Sequence, residues 1–141
     1  MNLPSEETLW KTASVGLGLI IGVAILSLMH QINYLFHPVD ETIISSTTSD
    51  GMSEYFSNPP LLIGKFISIA TAAFFSSAIA KLVKPNLKIL SAVIIGSVLM
   101  ILGIFDIVTS SYPGYFKVVA PTLYIPAAIF GYLFINNIHH K

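Results

Sequence analysis

Four stretches of the chain are apolar almost throughout, and polar residues gather in the breaks between them. The first apolar run, from about Ala13 to Met29, belongs to a longer helical pattern covering about residues 5–36. Ser5 is a suitable N-cap there, with Glu6 and Glu7 in the first turn beside the positive helix end. Trp10 sits where an interfacial aromatic belongs, and His37-Pro38 ends the helix. Three further helices are predicted over about 60–83, 87–109 and 116–138. Pro59-Pro60 starts the second helix, where proline costs least. The breaks "KPNLK" and "SSYPGY" read as tight turns. Pro121 and Pro126 predict a bend in the last helix, or carbonyls left for nearby hydroxyls such as that of Thr122.

Each run approaches the roughly 20 residues needed to cross a hydrocarbon core about 30 Å thick. The fold class expected is therefore all-α: a bundle of four transmembrane helices in a single domain, residues 1–141. The acidic start, the length of the first run and the lack of a small-x-small site argue for a retained helix rather than a cleaved leader. The one sizeable polar segment is the loop 37–59, rich in Ser and Thr and bearing acids without lysine. Within it "SDGMSEYF" predicts a short helix capped by Ser49, with Met52, Tyr55 and Phe56 turned toward the membrane surface.

Composition agrees with this pattern. The chain has 141 residues, 54% apolar and only 10% charged, whereas soluble domains carry about a quarter charged residues. Net charge is zero, so no basic field is present to attract nucleic acid. The absence of cysteine removes disulfides, thiolate metal sites and thiol catalysis. All seven basic residues are lysines, which argues against a bidentate arginine clamp; with heavy Ile and Asn use, this suggests an AT-rich bacterial genome. Lys11, Lys81, Lys84, Lys88 and Lys141 fall on one side of the four spans, Lys65 and Lys117 on the other. The positive-inside rule then places both termini in the cytoplasm and the 37–59 loop outside, in a bacterial cytoplasmic membrane.

Close packing by small residues, rather than hydrophobicity, holds helices together in lipid. Such residues recur at helical spacing: Gly18 and Gly22; Ser68, Ala72, Ser76 and Ala80; Ala92, Gly96 and Gly103; Ala120, Ala127 and Gly131. These stripes suit packing within the bundle, and one on the first or second helix could instead bind another chain. At about 100° per residue, Lys65 lies near the Ala72 face, Asp106 near the Gly96/Gly103 face, and Asn33 in line with Gly18 and Gly22, with His30 at its edge. Lys65 and Asp106 are each about four residues from the same membrane boundary, so roughly 6 Å deep at 1.5 Å per residue. Lys65, Asp106, His30 and Asn33 are thus expected to converge, either as a structural ion pair with polar support or as an outward-opening ligand or ion site.

Other chemistry is weaker. His30 and His37, with Asp40 and Glu41 beyond, have the residue types of a zinc or manganese site, but ordinary polar residues at a helix end suit the pattern better. Haem is disfavoured because His30 and the His139/His140 pair fall at opposite ends. No metal or cofactor is expected, and no nucleophile–base–acid spacing or paired carboxylate suggests an enzyme. A proton-coupled exporter of similar size would want an acid within the first helix, and none follows Glu7 there. No internal repeat is visible, which argues against a two-fold transporter.

The segments "GLGLIIG", "NYLFHP", "MSEYFSNPP", "SSAIAKLV" and "IPAAIFGYL" together resemble those of a loose group of small four-helix bacterial membrane proteins, common in Bacteroidetes-like genomes. The resemblance implies the topology and carries no reaction and no site. The function expected is a non-catalytic accessory or scaffold subunit of a membrane complex, or a homo-oligomer, with lipid and other membrane chains as partners. The alternative is a small transporter, channel or lipid- or ligand-binding protein using the outward polar cluster.

Overall fold

The computed structural model describes residues 5–38 and 49–139, with the side chains of residues 49–52 and 139 left aside. Every regular element among them is a helix: α1 (Glu6–Phe36), α2 (Ser49–Phe56), α3 (Pro59–Val83), α4 (Ile89–Thr109), α5 (Gly114–Thr122) and α6 (Tyr124–His139). Four stretches, Glu6–Phe36, Pro59–Val83, Ile89–Thr109 and Gly114–Ile138, are long and apolar enough to cross a membrane. At 1.5 Å per residue, the 31 residues of α1 extend about 46 Å, so its ends reach beyond a hydrocarbon core of about 30 Å.

Local chemistry sets the helix ends. Ser5 accepts a hydrogen bond from the Thr8 amide, and the His37 amide closes α1 by donating to the Asn33 carbonyl at 3.1 Å. Two prolines open α3 behind Asn58. The α4 helix starts at Ile89, because Leu87 remains in the preceding turn, donating to the Lys84 carbonyl. The last span is two helices rather than one bent helix, broken at Leu123. Lacking N–H groups, Pro121 and Pro126 leave the carbonyls of Lys117 and Thr122 without their usual helical donors. The Thr122 hydroxyl does not repair either one; it donates to the Val119 carbonyl at 2.7 Å.

Helix α3 runs through the middle of the bundle, with α1 along one flank and α6 along another; α4 lies on α6 and touches α1 and α3 more lightly. The small-residue stripes are the seams of this arrangement. A Cβ at Gly18 would come within 2.5 Å of the Ser76 carbonyl oxygen, and one at Gly22 within 2.8 Å of the Ser76 side chain. Ser76 also donates to the Gly18 carbonyl at 2.6 Å. Gly103 makes room for the buried Tyr124 ring, Gly96 for the backbone of Tyr124 and Ile125, and Gly131 for the Phe74 carbonyl. Ser68 and Ala72 are fully buried on the same α3 face. Gly18, Gly22, Ser68, Ala72, Ser76, Gly96 and Gly103 therefore pack within one chain, and Gly18, Gly22 and Ser76 offer no open face to a second one.

Two side chains of α2 depart from expectation. Tyr55 and Phe56 turn into the bundle rather than toward the membrane surface. Tyr55 is buried and donates to the His37 carbonyl at 2.5 Å, and Phe56 meets Tyr112 edge-on at 4.8 Å. Tyr112 is only 4% exposed beneath this contact, and the aromatic pairing holds α2 on the end of the bundle. The side chains of Ser49 and Met52 fall outside the described set, as do Asp40, Glu41, His140 and Lys141.

Candidate functional site

Lys65 sits about two turns into α3, on the face that also carries Ser68 and Ala72, and that face is closed by neighbouring helices. Its side chain is only 2% exposed. The ammonium donates to Asp106 Oδ2 of α4 at 3.0 Å and meets His30 Nε2 of α1. His30 Nε2 and Asp106 Oδ2 are themselves 3.9 Å apart. An ammonium can only donate, so the facing Nε2 must accept, and the imidazole carries its proton on Nδ1. One positive charge, one negative charge and a neutral ring then share a single knot with no net charge.

Aromatic rings complete the surroundings. The Lys65 Nζ lies 5.7 Å from the Tyr34 ring centroid and 5.4 Å from that of Tyr112, within reach of cation–π attraction. Tyr112, in the segment between α4 and α5, is buried by Phe56 and Phe116, and its hydroxyl finds no partner among the described residues. Burial pushes its phenol far above the ordinary value, so it stays a neutral hydroxyl. The knot is lopsided: the Asp106 side chain is 46% exposed and that of His30 20%, against 2% for Lys65. The buried member is the cation, and the carboxylate is the face the site shows to its surroundings.

The structure brings together Lys65, Asp106 and His30 of the four polar residues expected to converge. Asn33 stands apart. Its amide donates to the Leu61 carbonyl at 3.0 Å, and its carboxamide lies against Gly64, where a Cβ would come within 2.1 Å of Oδ1. It ties α1 to α3 beside the knot rather than joining it. His37 donates from Nδ1 to the Asn33 carbonyl at 3.1 Å, as a cap on the last turn of α1. Among the described residues no three His, Asp or Glu side chains group closely enough to hold a metal ion.

A second polar knot lies at the other end of α3. Lys81, 4% exposed, donates to the carbonyls of Pro85 at 2.5 Å and Leu87 at 3.0 Å, and stands 4.6 Å from the Tyr132 ring centroid. The Tyr132 hydroxyl donates to the same Leu87 carbonyl at 2.9 Å. Lys81 thus closes the "KPNLK" turn instead of standing free at the surface. A signal for it was present: a lysine in the last turn of a helix, followed by a proline-containing turn whose carbonyls lack helical donors.

Comparison with known proteins finds no matching family model, no matching curated protein and no matching solved structure.

Proposed function

We propose that this chain is a non-catalytic, multi-pass subunit of a bacterial cytoplasmic membrane, a helical scaffold that binds another membrane chain or a second copy of itself through the free face of α1. Both termini lie in the cytoplasm in this reading, supported by the bias of Lys11, Lys84 and Lys88 to one end. The observation that carries the proposal is the row Gly16, Ile20, Ala24, Ser27 and Gln31. These residues recur at helical spacing on one side of α1, away from the Gly18/Gly22 seam, and Ile20, Ala24, Ser27 and Gln31 are exposed. No atom lies within 4 Å of a Cβ built at Gly16. Polar Ser27 and Gln31 on an outward face of a membrane helix are best satisfied by a neighbouring helix, which the adjacent small residues let approach.

The Lys65 knot serves this scaffold as a clamp. It joins α1, α3 and α4 at one end, where α1 and α4 otherwise touch lightly. Between the Lys65 and Lys81 knots, α3 packs Ile69, Ala72, Ala73 and Ser76 against its neighbours, which favours a solid bundle over a conduit.

The absence of cysteine makes the test direct. Ser27→Cys introduces a single thiol on the free face, and Leu102→Cys places one on an exposed position of α4 as control. Oxidative or bifunctional cross-linking in native membranes, followed by mass spectrometry, should give a discrete larger species from Ser27→Cys and none from Leu102→Cys. A chain that stays uncross-linked at both positions and purifies alone in mild detergent would contradict the proposal.

A further inference from the structure

Two depressions meet at His37. One is a groove of about 440 Å³ between α1 and α3, walled by Met29, Ile32, Phe36, Ile63 and Ile67, in the half of the spans nearest the Lys65 end. The other is a cavity of about 540 Å³ beyond the helix ends, lined by His37, Glu54, Tyr55, Ser57 and Asn58. His37 lines both, so groove and cavity adjoin at that residue.

We infer that groove and cavity together hold one membrane lipid with a primary-amine head group, its acyl chain in the groove and its ammonium in the cavity. The groove suits hydrocarbon because the polar residues on its floor are turned inward. Asn33 donates to the Leu61 carbonyl and Ser68 to the Gly64 carbonyl, so what faces outward is apolar. The cavity suits a cation with N–H donors because Glu54 and Ser57 offer acceptors there. Glu54 carries a carboxylate that makes no ion pair with any other described residue. Ser57 already donates to the Ser53 carbonyl at 2.7 Å, leaving its lone pairs to accept. His37 spends its Nδ1–H on the Asn33 carbonyl, so that nitrogen does not compete with a ligand for the Glu54 carboxylate.

The acceptor set separates amine heads from choline heads. An ammonium can hydrogen-bond to a carboxylate and a hydroxyl, whereas a trimethylammonium has no N–H to give. With the four apolar stretches spanning a bilayer, the groove would face the acyl region and the cavity, beyond the helix ends, the head-group layer. Tyr55, bonded to the His37 carbonyl, fixes the wall where the two meet.

The test uses the purified full chain, stripped of lipid in detergent and offered mixed micelles of phosphatidylethanolamine or phosphatidylcholine with matched acyl chains. Lipid retention is read by native mass spectrometry, and folding by helical content and melting. The wild-type chain should retain one ethanolamine lipid in preference to choline lipid. Glu54→Gln should lower that preference roughly tenfold, the loss of about one charge-assisted hydrogen bond. Ile67→Trp, at a position 53% exposed in the groove, should abolish retention of both lipids without unfolding the chain. Ile101→Trp, equally exposed on α4, should change nothing. Equal retention of the two lipids, retention of detergent only, full retention by Ile67→Trp, or cross-linking of Ile63→Cys to a second chain in native membranes would each overturn the inference. None of these outcomes depends on the free face of α1.

Discussion

Because Lys65 is buried and Asp106 half-exposed, removing one is not equivalent to removing the other. Asp106→Asn leaves an ammonium 2% exposed without its counter-charge. Breaking a buried pair in this way costs about 3–5 kcal/mol, and the remaining carboxamide oxygen, still able to accept, sets the expectation near 3 kcal/mol. Lys65→Met keeps most of the packing volume and leaves a carboxylate that can reach its surroundings. The hydrogen bonds to charged groups that it removes, discounted for that exposure, amount to about 1–2 kcal/mol. The double variant Lys65→Met/Asp106→Asn carries no stranded charge. It should be close to Lys65→Met alone, a coupling of about 2–3 kcal/mol between the two sites. Unfolding in mixed micelles by titration with sodium dodecyl sulfate at neutral pH gives all three free energies. The reasoning is refuted if Lys65→Met costs as much as Asp106→Asn, or if the two losses simply add.

Glycine positions give a sharper contrast. Gly131→Ala puts a methyl where 2.1 Å separates it from the Phe74 carbonyl oxygen, and should destabilise the bundle by more than about 2 kcal/mol in the same titration. Gly16→Ala meets nothing within 4 Å and should be neutral or stabilising by up to about 1 kcal/mol. Lys81→Met strands the Pro85 carbonyl, and hydrogen exchange should rise across residues 84–88 with a loss of about 1–3 kcal/mol. Tyr112→Phe removes a hydroxyl with no described partner and should leave stability within about 0.5 kcal/mol or raise it; a marked loss would mean the hydroxyl is bonded.

Some of this was legible in the residues and some was not. Apolar run length is a direct consequence of membrane thickness, so the four spans follow from the sequence. Helical angle and depth also bring Lys65 and Asp106 to one level, though only Lys65 proves buried while Asp106 stays 46% exposed. Angle alone does not say which neighbour occupies a face. His30 and Asn33 lie three residues apart on α1, yet one meets the ammonium and the other meets Gly64, and only the crossing of α1 over α3 decides this. Lys81 reads as one of several topology-setting lysines because its role depends on carbonyls freed by a turn four to six residues later. The prolines of the last span signal a break but not the destination of the Thr122 hydroxyl. Tyr55 and Phe56 look like surface aromatics until the His37 carbonyl takes the Tyr55 hydroxyl and Tyr112, more than fifty residues on, supplies the ring that Phe56 packs against.

The order in which the chain is made gives the Lys65 knot a history. His30 precedes Lys65 by 35 residues, and Asp106 follows it by 41. When α3 first enters the bilayer, the carboxylate that will balance its ammonium still lies behind it in the chain, outside the bilayer. The imidazole of α1 lies ahead of it, already inserted. Near the membrane boundary, a lysine can keep its head in the polar layer while its stem lies along the helix. His30 then provides the first acceptor within the protein, and α4 arrives to neutralise a charge already held in place. The neutral ring is thus a partner that Lys65 can have before its charge is matched, and the sequence order of the three residues is the order in which the clamp can close.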